Sequence, residues 1–146
     1  LRPHQLKNEN LMQGIQRLVQ EFRANTLIEV SVQGPEDELA SLPEIQAVAL
    51  FHICQEALAN IAKHAKARHV SVTVWTTVDR ALIEVSDDGR GFDVDKVKLT
   101  IGHGLANIQT RAANASGDVE INSDLGKGTS VMAWVPLPEI EPLVFE

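Results

Sequence analysis

Apolar residues recur along this chain at two spacings, and the changes of spacing mark its elements. Leu11, Ile15, Leu18 and Phe22 fall at helical intervals, which predicts a short amphipathic helix over about residues 8–23. From Leu27 to Gln33 the rhythm is every second residue, Ile28, Val30 and Val32 against Glu29, Ser31 and Gln33, the pattern of a half-buried strand. Gly34-Pro35 ends it, and an acidic loop from Glu36 to Ser41 follows. Pro43 stands where a helix would begin. In the stretch to about residue 65, Ala47, Phe51, Cys54, Leu58, Ile61 and Ala65 share one face, so a single long helix is expected over 43–65.

Two alternating runs come next, 69–77 and 81–87, with Val78-Asp79-Arg80 between them as a hairpin turn. Residues 88–103 are polar; Gly89, Gly91 and Gly102 lie among them, and Gly104 just beyond. A helix over 104–115, with Leu105, Ile108 and Ala112 inward, ends at Gly117. Strands at 118–123 and 129–135 are joined by Leu125-Gly126-Lys127-Gly128. After Pro136 the chain is proline-containing and acidic, and 137–146 reads as an irregular tail. Helices and hairpins interleave, which predicts an α/β fold: a mixed sheet covered by helices on one face.

Composition narrows the classes. The chain has 146 residues, enough for one domain with its own core, and 44% of them are hydrophobic. No run of 18 apolar residues is present to suggest a membrane span. Cys54 is the only cysteine, which excludes an internal disulfide and fits a reducing compartment. The net charge is -7 with no basic run, so general attraction to nucleic acid is not expected. An anionic ligand would need local help from a helix end, glycine-rich backbone or a metal. The first residues, starting at Leu1, read as the end of something longer.

Four short segments carry candidate chemistry. On the long helix, at 100° per residue, Glu56, Asn60, Lys63 and His64 fall within about a quarter of the circumference, away from Cys54 and Leu58. Glu56 and Asn60 are oxygen donors one turn apart, which suits Mg²⁺; an ordinary solvated face gives the same pattern. In the second segment Ala81, Ile83 and Val85 share a strand phase that Asp87 continues, so a carboxylate is aimed at the apolar side. Such a carboxylate needs a donor. The adenine amine would serve and guanine's oxygen would be repelled; a turn at Asp88-Gly89 is the plainer reading. Gly89 and Gly91 would allow backbone close to a flat ring.

The third segment is Gly102-His103-Gly104-Leu105 at a helix mouth, where free N–H groups and the helix dipole favour phosphate, or where the chain simply turns into the helix. It is neither a Walker loop nor a Rossmann fingerprint. The fourth is Gly126-Lys127-Gly128-Thr129. Thr129 shares a phase with Val131, Ala133 and Val135, so Thr129 and Asp87 can face the same side of one sheet. A β-branched residue opening a strand needs no ligand to explain it.

Each segment is common singly; the four in this order are specific. Over residues 51 to about 136 they resemble the nucleotide-binding boxes of the histidine kinase, gyrase, Hsp90 and MutL ATPase superfamily. The run from Phe51 to Ala65 is similar to the asparagine box of sensor histidine kinases that pair with LuxR-type (NarL-like) response regulators. Leu1-Arg2-Pro3 resembles the point where their dimerisation helices end. The short gap between Phe92 and Gly102 is similar to that subfamily's brief lid, while Leu105-Ala-Asn-Ile-Gln-Thr-Arg111 departs from the usual Leu-x-x-Met-Arg-Glu-Arg.

The resemblance implies a Bergerat-type two-layer sandwich. It implies residues 1–42 as the end of a dimerisation-domain linker with a short helix and first strand, 43–136 as the core ATP-binding catalytic domain, and 137–146 as a tail. It implies ATP and Mg²⁺ as cofactors: Asn60 on the metal with Glu56 nearby, Lys63 and His64 toward the phosphates, and Asp87 on the adenine amine with Thr129 assisting. Gly89, Gly91, Gly102 and Gly104 would shape the pocket and lid, with Leu105 packing the lid helix. The partners implied are the protein's own dimerisation and phospho-acceptor domain and a LuxR-type response regulator, with a full-length homodimer that is cytoplasmic, or membrane-anchored with this domain on the cytoplasmic side. None of His4, His52, His64, His69 and His103 precedes Asp or Glu, the usual context of the accepting histidine. The expected activity is therefore a protein histidine kinase whose acceptor lies upstream. The alternatives are another ATPase of the superfamily, an anti-sigma-factor serine kinase, or a non-catalytic nucleotide sensor.

Overall fold

The computed structural model describes residues 9–35, 42–91 and 105–138. Helix α1 (Leu11–Thr26) is followed by β1 (Glu29–Gln33) and α2 (Glu44–Asn60), which continues as a π-helical turn at Ile61–Ala65. Then come β2 (His69–Thr76), β3 (Arg80–Asp87), α3 (Leu105–Asn114), β4 (Asp118–Asp124) and β5 (Gly128–Pro136). The strand order is β1-β2-β3-β5-β4. β1 runs parallel to β2 and the other pairs are antiparallel, so the sheet is mixed as expected.

Helix α1 starts and ends later than its apolar spacing implies, because its ends are set by polar groups. Asn10 Oδ1 accepts from the Gln13 N–H at 2.9 Å, and Gln13 Oε1 accepts from the Asn10 N–H at 3.0 Å, a reciprocal cap. At the other end Leu27 takes the left-handed conformation, φ 60°, and its N–H closes on the Arg23 carbonyl. The long helix also differs from expectation. It is α-helical only to Asn60, and its last turn is π.

Period-two alternation sends Val70, Val72, Val74, Ala81, Ile83, Val85, Val131, Ala133 and Val135 to one face of the sheet, where they are buried. The three helices cover that face. α2 lies between α1 and α3 and also touches β3 and β5. That position explains why Glu44–Ala65 is long and apolar enough to cross a membrane by composition: its apolar sides face protein. Leu11, Ile15, Leu18 and Phe22 of α1 join the same cluster, so one core spans both sides of residue 43. Cys54 is at its centre, and burial pushes the thiol up to about 12, which keeps it neutral and unreactive.

Among the described residues no helix covers the other face of the sheet. Trp75, Leu82 and Trp134 stand side by side there in register, and the two indoles shield Leu82. The Arg80 guanidinium stacks 3.8 Å from the Trp134 ring centroid.

The hairpin between β4 and β5 holds two glycines with left-handed backbone, Gly126 at φ 81° and Gly128 at φ 83°. A Cβ on Gly126 would meet open space, whereas one on Gly128 would lie 2.0 Å from the Asp87 carbonyl oxygen. Gly126→Ala should cost about 1–2 kcal/mol, the left-handed penalty alone. Gly128→Ala should cost at least about 3 kcal/mol, because the backbone of β3 must move as well. Urea unfolding midpoints of the two variants measure the difference; equal losses would show that the clash is relieved for free.

Candidate functional site

Two adjacent carboxylates at the end of β3 have opposite surroundings, because strand alternation turns them to opposite sides. Asp87 points inward and is 8% exposed. Its Oδ1 accepts from the Gly89 N–H at 2.8 Å. Burial raises its pKa, the neighbouring Asp88 charge adds to that, and the Gly89 and Thr129 N–H groups oppose it. Asp88 points outward. Its Oδ1 accepts from the Arg68 N–H at 2.8 Å and the His69 N–H at 3.0 Å, and its Oδ2 lies 3.2 Å from His69 Nδ1. Those donors lower its pKa. Asp88 thus fixes the start of β2 to the end of β3.

The shared phase read from the sequence is present. Asp87 stands directly opposite Thr129 across β3 and β5, both on the helix-covered face. Ser123 continues the row on β4, with its Oγ 2.7 Å from Thr129 Oγ1 and 3.1 Å from the Gly128 carbonyl. Sequence reading passed over Ser123. Its signal was available, since Val119, Ile121 and Ser123 keep one strand phase.

The glycines approach protein backbone. A Cβ on Gly89 would lie 2.1 Å from the Ala65 carbonyl oxygen, at the end of the π turn. One on Gly91, at φ 63°, would lie 1.9 Å from the Asp124 carbonyl oxygen in the β4–β5 hairpin. Backbone hydrogen bonds close the same contacts, Arg90 N–H to Ala65 O at 2.7 Å and Gly126 N–H to Arg90 O at 2.6 Å. The close approach expected of Gly89 and Gly91 therefore has a partner within the fold, and the turn at Asp87–Gly91 is wedged between a helix end and a hairpin.

Glu56 and Asn60 lie one turn apart on α2 and are half-buried. Neither side chain is engaged by another described residue. Two uncommitted oxygen donors at this spacing suit a cation that takes one or two protein oxygens and fills its shell with phosphate and water. Lys63 and His64 follow on the π turn rather than on the α-helix, where i→i+5 bonding gives each residue a smaller advance. Lys63 is exposed and His64 half-buried.

Around this end of the sheet the exposed cations Lys63, Lys66, Arg68, Arg90 and Lys127 form a rim, tied together by the bonds at Ala65, Asp88 and Arg90. Among the described residues none of them forms an ion pair. Glu29, Asp88 and Asp124 are exposed at the same end, so these cations are interspersed with carboxylates. Leu105 opens α3 and packs against the core. Gly102 and Gly104 lie outside the described residues, as do the lid and Leu1-Arg2-Pro3.

This arrangement has known counterparts. The family model of the histidine kinase-, DNA gyrase B- and HSP90-like ATPases matches residues 45–139, and the chain belongs to that family. ATP is the nucleotide that this membership brings to the site. Among its relatives, the sensor histidine kinase LiaS of Bacillus subtilis (strain 168) is 34% identical over 137 residues, 94% of this chain and 37% of that protein. The histidine-protein kinase/phosphatase DegS of the same organism is 32% identical, over 81% of this chain and 31% of its own. UhpB of Salmonella typhimurium is 34% identical, over 90% of this chain and 26% of its own. The chain thus spans about a quarter to two fifths of the length of these relatives. The histidine kinase domain of the blue-light activated histidine kinase EL346 of Erythrobacter litoralis superposes with a TM-score of 0.70 at 21% identity, over 92% of this chain and 64% of that one, and shares the fold.

The raised pKa of Asp87 has a consequence for stability. The folded chain holds the Asp87 proton more tightly than the unfolded chain does, so this group favours folding while protonated and that contribution is lost as pH rises through its folded pKa. Asp87→Asn, which stays neutral, should therefore gain stability relative to the parent between pH 4 and pH 7. Urea unfolding of both proteins at those two values checks the sign, and a parent that gains on the variant with rising pH would reverse the assignment of burial as the dominant cause.

Proposed function

We propose that this chain is the ATP-holding catalytic part of a two-component sensor histidine kinase. In this reading it donates the γ-phosphoryl group to a histidine on an upstream dimerisation segment, from which the group passes to a LuxR-type response regulator. The observation that carries it is the inward Asp87 carboxylate opposite Thr129 on the helix-covered face of the sheet, with Glu56 and Asn60 on helix α2, which packs on that face. The relatives named above are sensor histidine kinases, which favours this reading over an anti-sigma-factor kinase or a chaperone-type ATPase.

Asp87 accepts a hydrogen bond from the adenine amine, with Thr129 beside it. Lys63, His64 and the rim hold the phosphates by charge. Glu56 and Asn60 hold Mg²⁺, which when bound offsets phosphate charge. Transfer is then positioning and charge neutralisation. The bond from the γ-phosphorus to its bridging oxygen breaks, ADP leaves with the electron pair, and a bond forms to the acceptor nitrogen. The acceptor and its base belong to the upstream segment, and the full-length protein works as a homodimer with this part in the cytoplasm. The negative net charge argues against a nucleic-acid role.

Titration calorimetry on this chain tests the site. Asp87→Asn should weaken ATP binding at least about tenfold, and GTP should compete poorly with ATP. Asn60→Ala should remove the Mg²⁺ dependence of binding. Equal affinity for ATP and GTP would sink the adenine assignment, and an unchanged Mg²⁺ effect would sink the metal assignment. Incubating the full-length protein with γ-labelled ATP tests the reaction: an acid-labile, base-stable phosphoryl group is expected, and an acid-stable product would point to hydroxyl chemistry instead.

A further inference from the structure

Ser123 extends the row of Asp87 and Thr129 across β4 with a second hydroxyl. We infer that Ser123 is a positioning residue that fixes the Thr129 hydroxyl as an acceptor and so sharpens selection for a base edge that donates. This rests on the reading of Asp87 and Thr129 as the pair facing the base.

Ser123 Oγ lies 3.1 Å from the Gly128 carbonyl and 2.7 Å from Thr129 Oγ1. A hydroxyl has one proton, and a carbonyl can only accept. The Ser123 proton therefore goes to Gly128, and the bond to Thr129 must use the proton of Thr129. With that proton committed sideways along the sheet, Thr129 offers only lone pairs to anything else. Its opposite neighbour Asp87, when ionised, is an acceptor as well, with Oδ1 already taking the Gly89 N–H at 2.8 Å. Two adjacent acceptors then converge on the exocyclic position of the base. An amine there gives one N–H to each, whereas a ring carbonyl there is repelled by both.

Without the Ser123 hydroxyl the Thr129 rotor is released. It can then donate to the Asp87 carboxylate, weakening that acceptor, or donate to a carbonyl on the base, stabilising the wrong ligand. Either outcome narrows the preference for adenine. A residue that only pinned the β4–β5 hairpin would affect all nucleotides alike.

The test compares ATP with inosine triphosphate, which carries a ring oxygen where adenine has the amine, by calorimetry on this chain. Ser123→Ala should weaken ATP binding about threefold to tenfold and narrow the ATP-to-ITP ratio about tenfold, with the melting temperature moved by only a few degrees. Ser123→Thr, which restores the hydroxyl, should restore the ratio. In a Thr129→Val background, Ser123→Ala should change the ratio no further, since the two act as a unit. A ratio unchanged in Ser123→Ala, or ATP and ITP weakened equally, overturns the inference. The parent reading fails separately: if Asp87→Asn also leaves the ratio unchanged, the base does not lie against this row. If Asp87→Asn abolishes the preference while Ser123→Ala does not, only the role of Ser123 falls.

Discussion

The candidate site depends on one junction at which there is no room for a side chain. The turn after β3 enters between the end of the π turn and the β4–β5 hairpin, and Gly89, Gly91 and Gly128 each meet a carbonyl oxygen at about 2 Å from where a Cβ would be. The contact is backbone on backbone, so it is short and stiff. Asp87 owes its inward aim to strand phase, but it owes its depth to this wedge. The same wedge ties the end of the π turn, which follows Asn60 at the end of α2, to the turn after Asp87. Any residue with a Cβ at these three positions is excluded by geometry before any ligand is considered.

Around the junction, charge is sorted by direction. Asp88 faces out and is saturated by the N–H groups that begin β2, while Asp87 faces in with most of its water removed. Neighbours in sequence thus perform unlike tasks, one as a latch and one as a poised acceptor. The exposed cations from Lys63 to Lys127 gather at this end of the sheet among the carboxylates of Glu29, Asp88 and Asp124, a placement that the composition of the whole chain conceals. An average over residues carries no information about where charge is placed.

Much of this was legible in the sequence because strands are periodic. The phase of Asp87 with Ala81, Ile83 and Val85, and of Thr129 with Val131, Ala133 and Val135, passed directly into register. The mixed sheet with helices on one face followed from the order of elements. Three things did not follow. The π turn at Ile61–Ala65 keeps the helical spacing of apolar residues, so its changed rotation leaves no trace in a helical wheel. The partners of Gly89 and Gly91 are backbone atoms distant in sequence, and no side-chain pattern encodes them. The late start of α1 could have been read, since Asn10 and Gln13 have the spacing of a reciprocal cap, but apolar spacing alone overlooks it.

The sheet face turned away from the helices gives the molecule a built-in optical gauge. The chain has two tryptophans and no tyrosine. Both tryptophans stand on that face beside Leu82, five residues along β3 from Asp87, about 17 Å at strand rise. The sheet lies between them and the helix-covered side. Intrinsic fluorescence therefore reports the integrity of the sheet and the Arg80 stack on Trp134, and it is nearly blind to what occupies the other side. Unfolding will be bright in such a measurement, and nucleotide exchange will be dark.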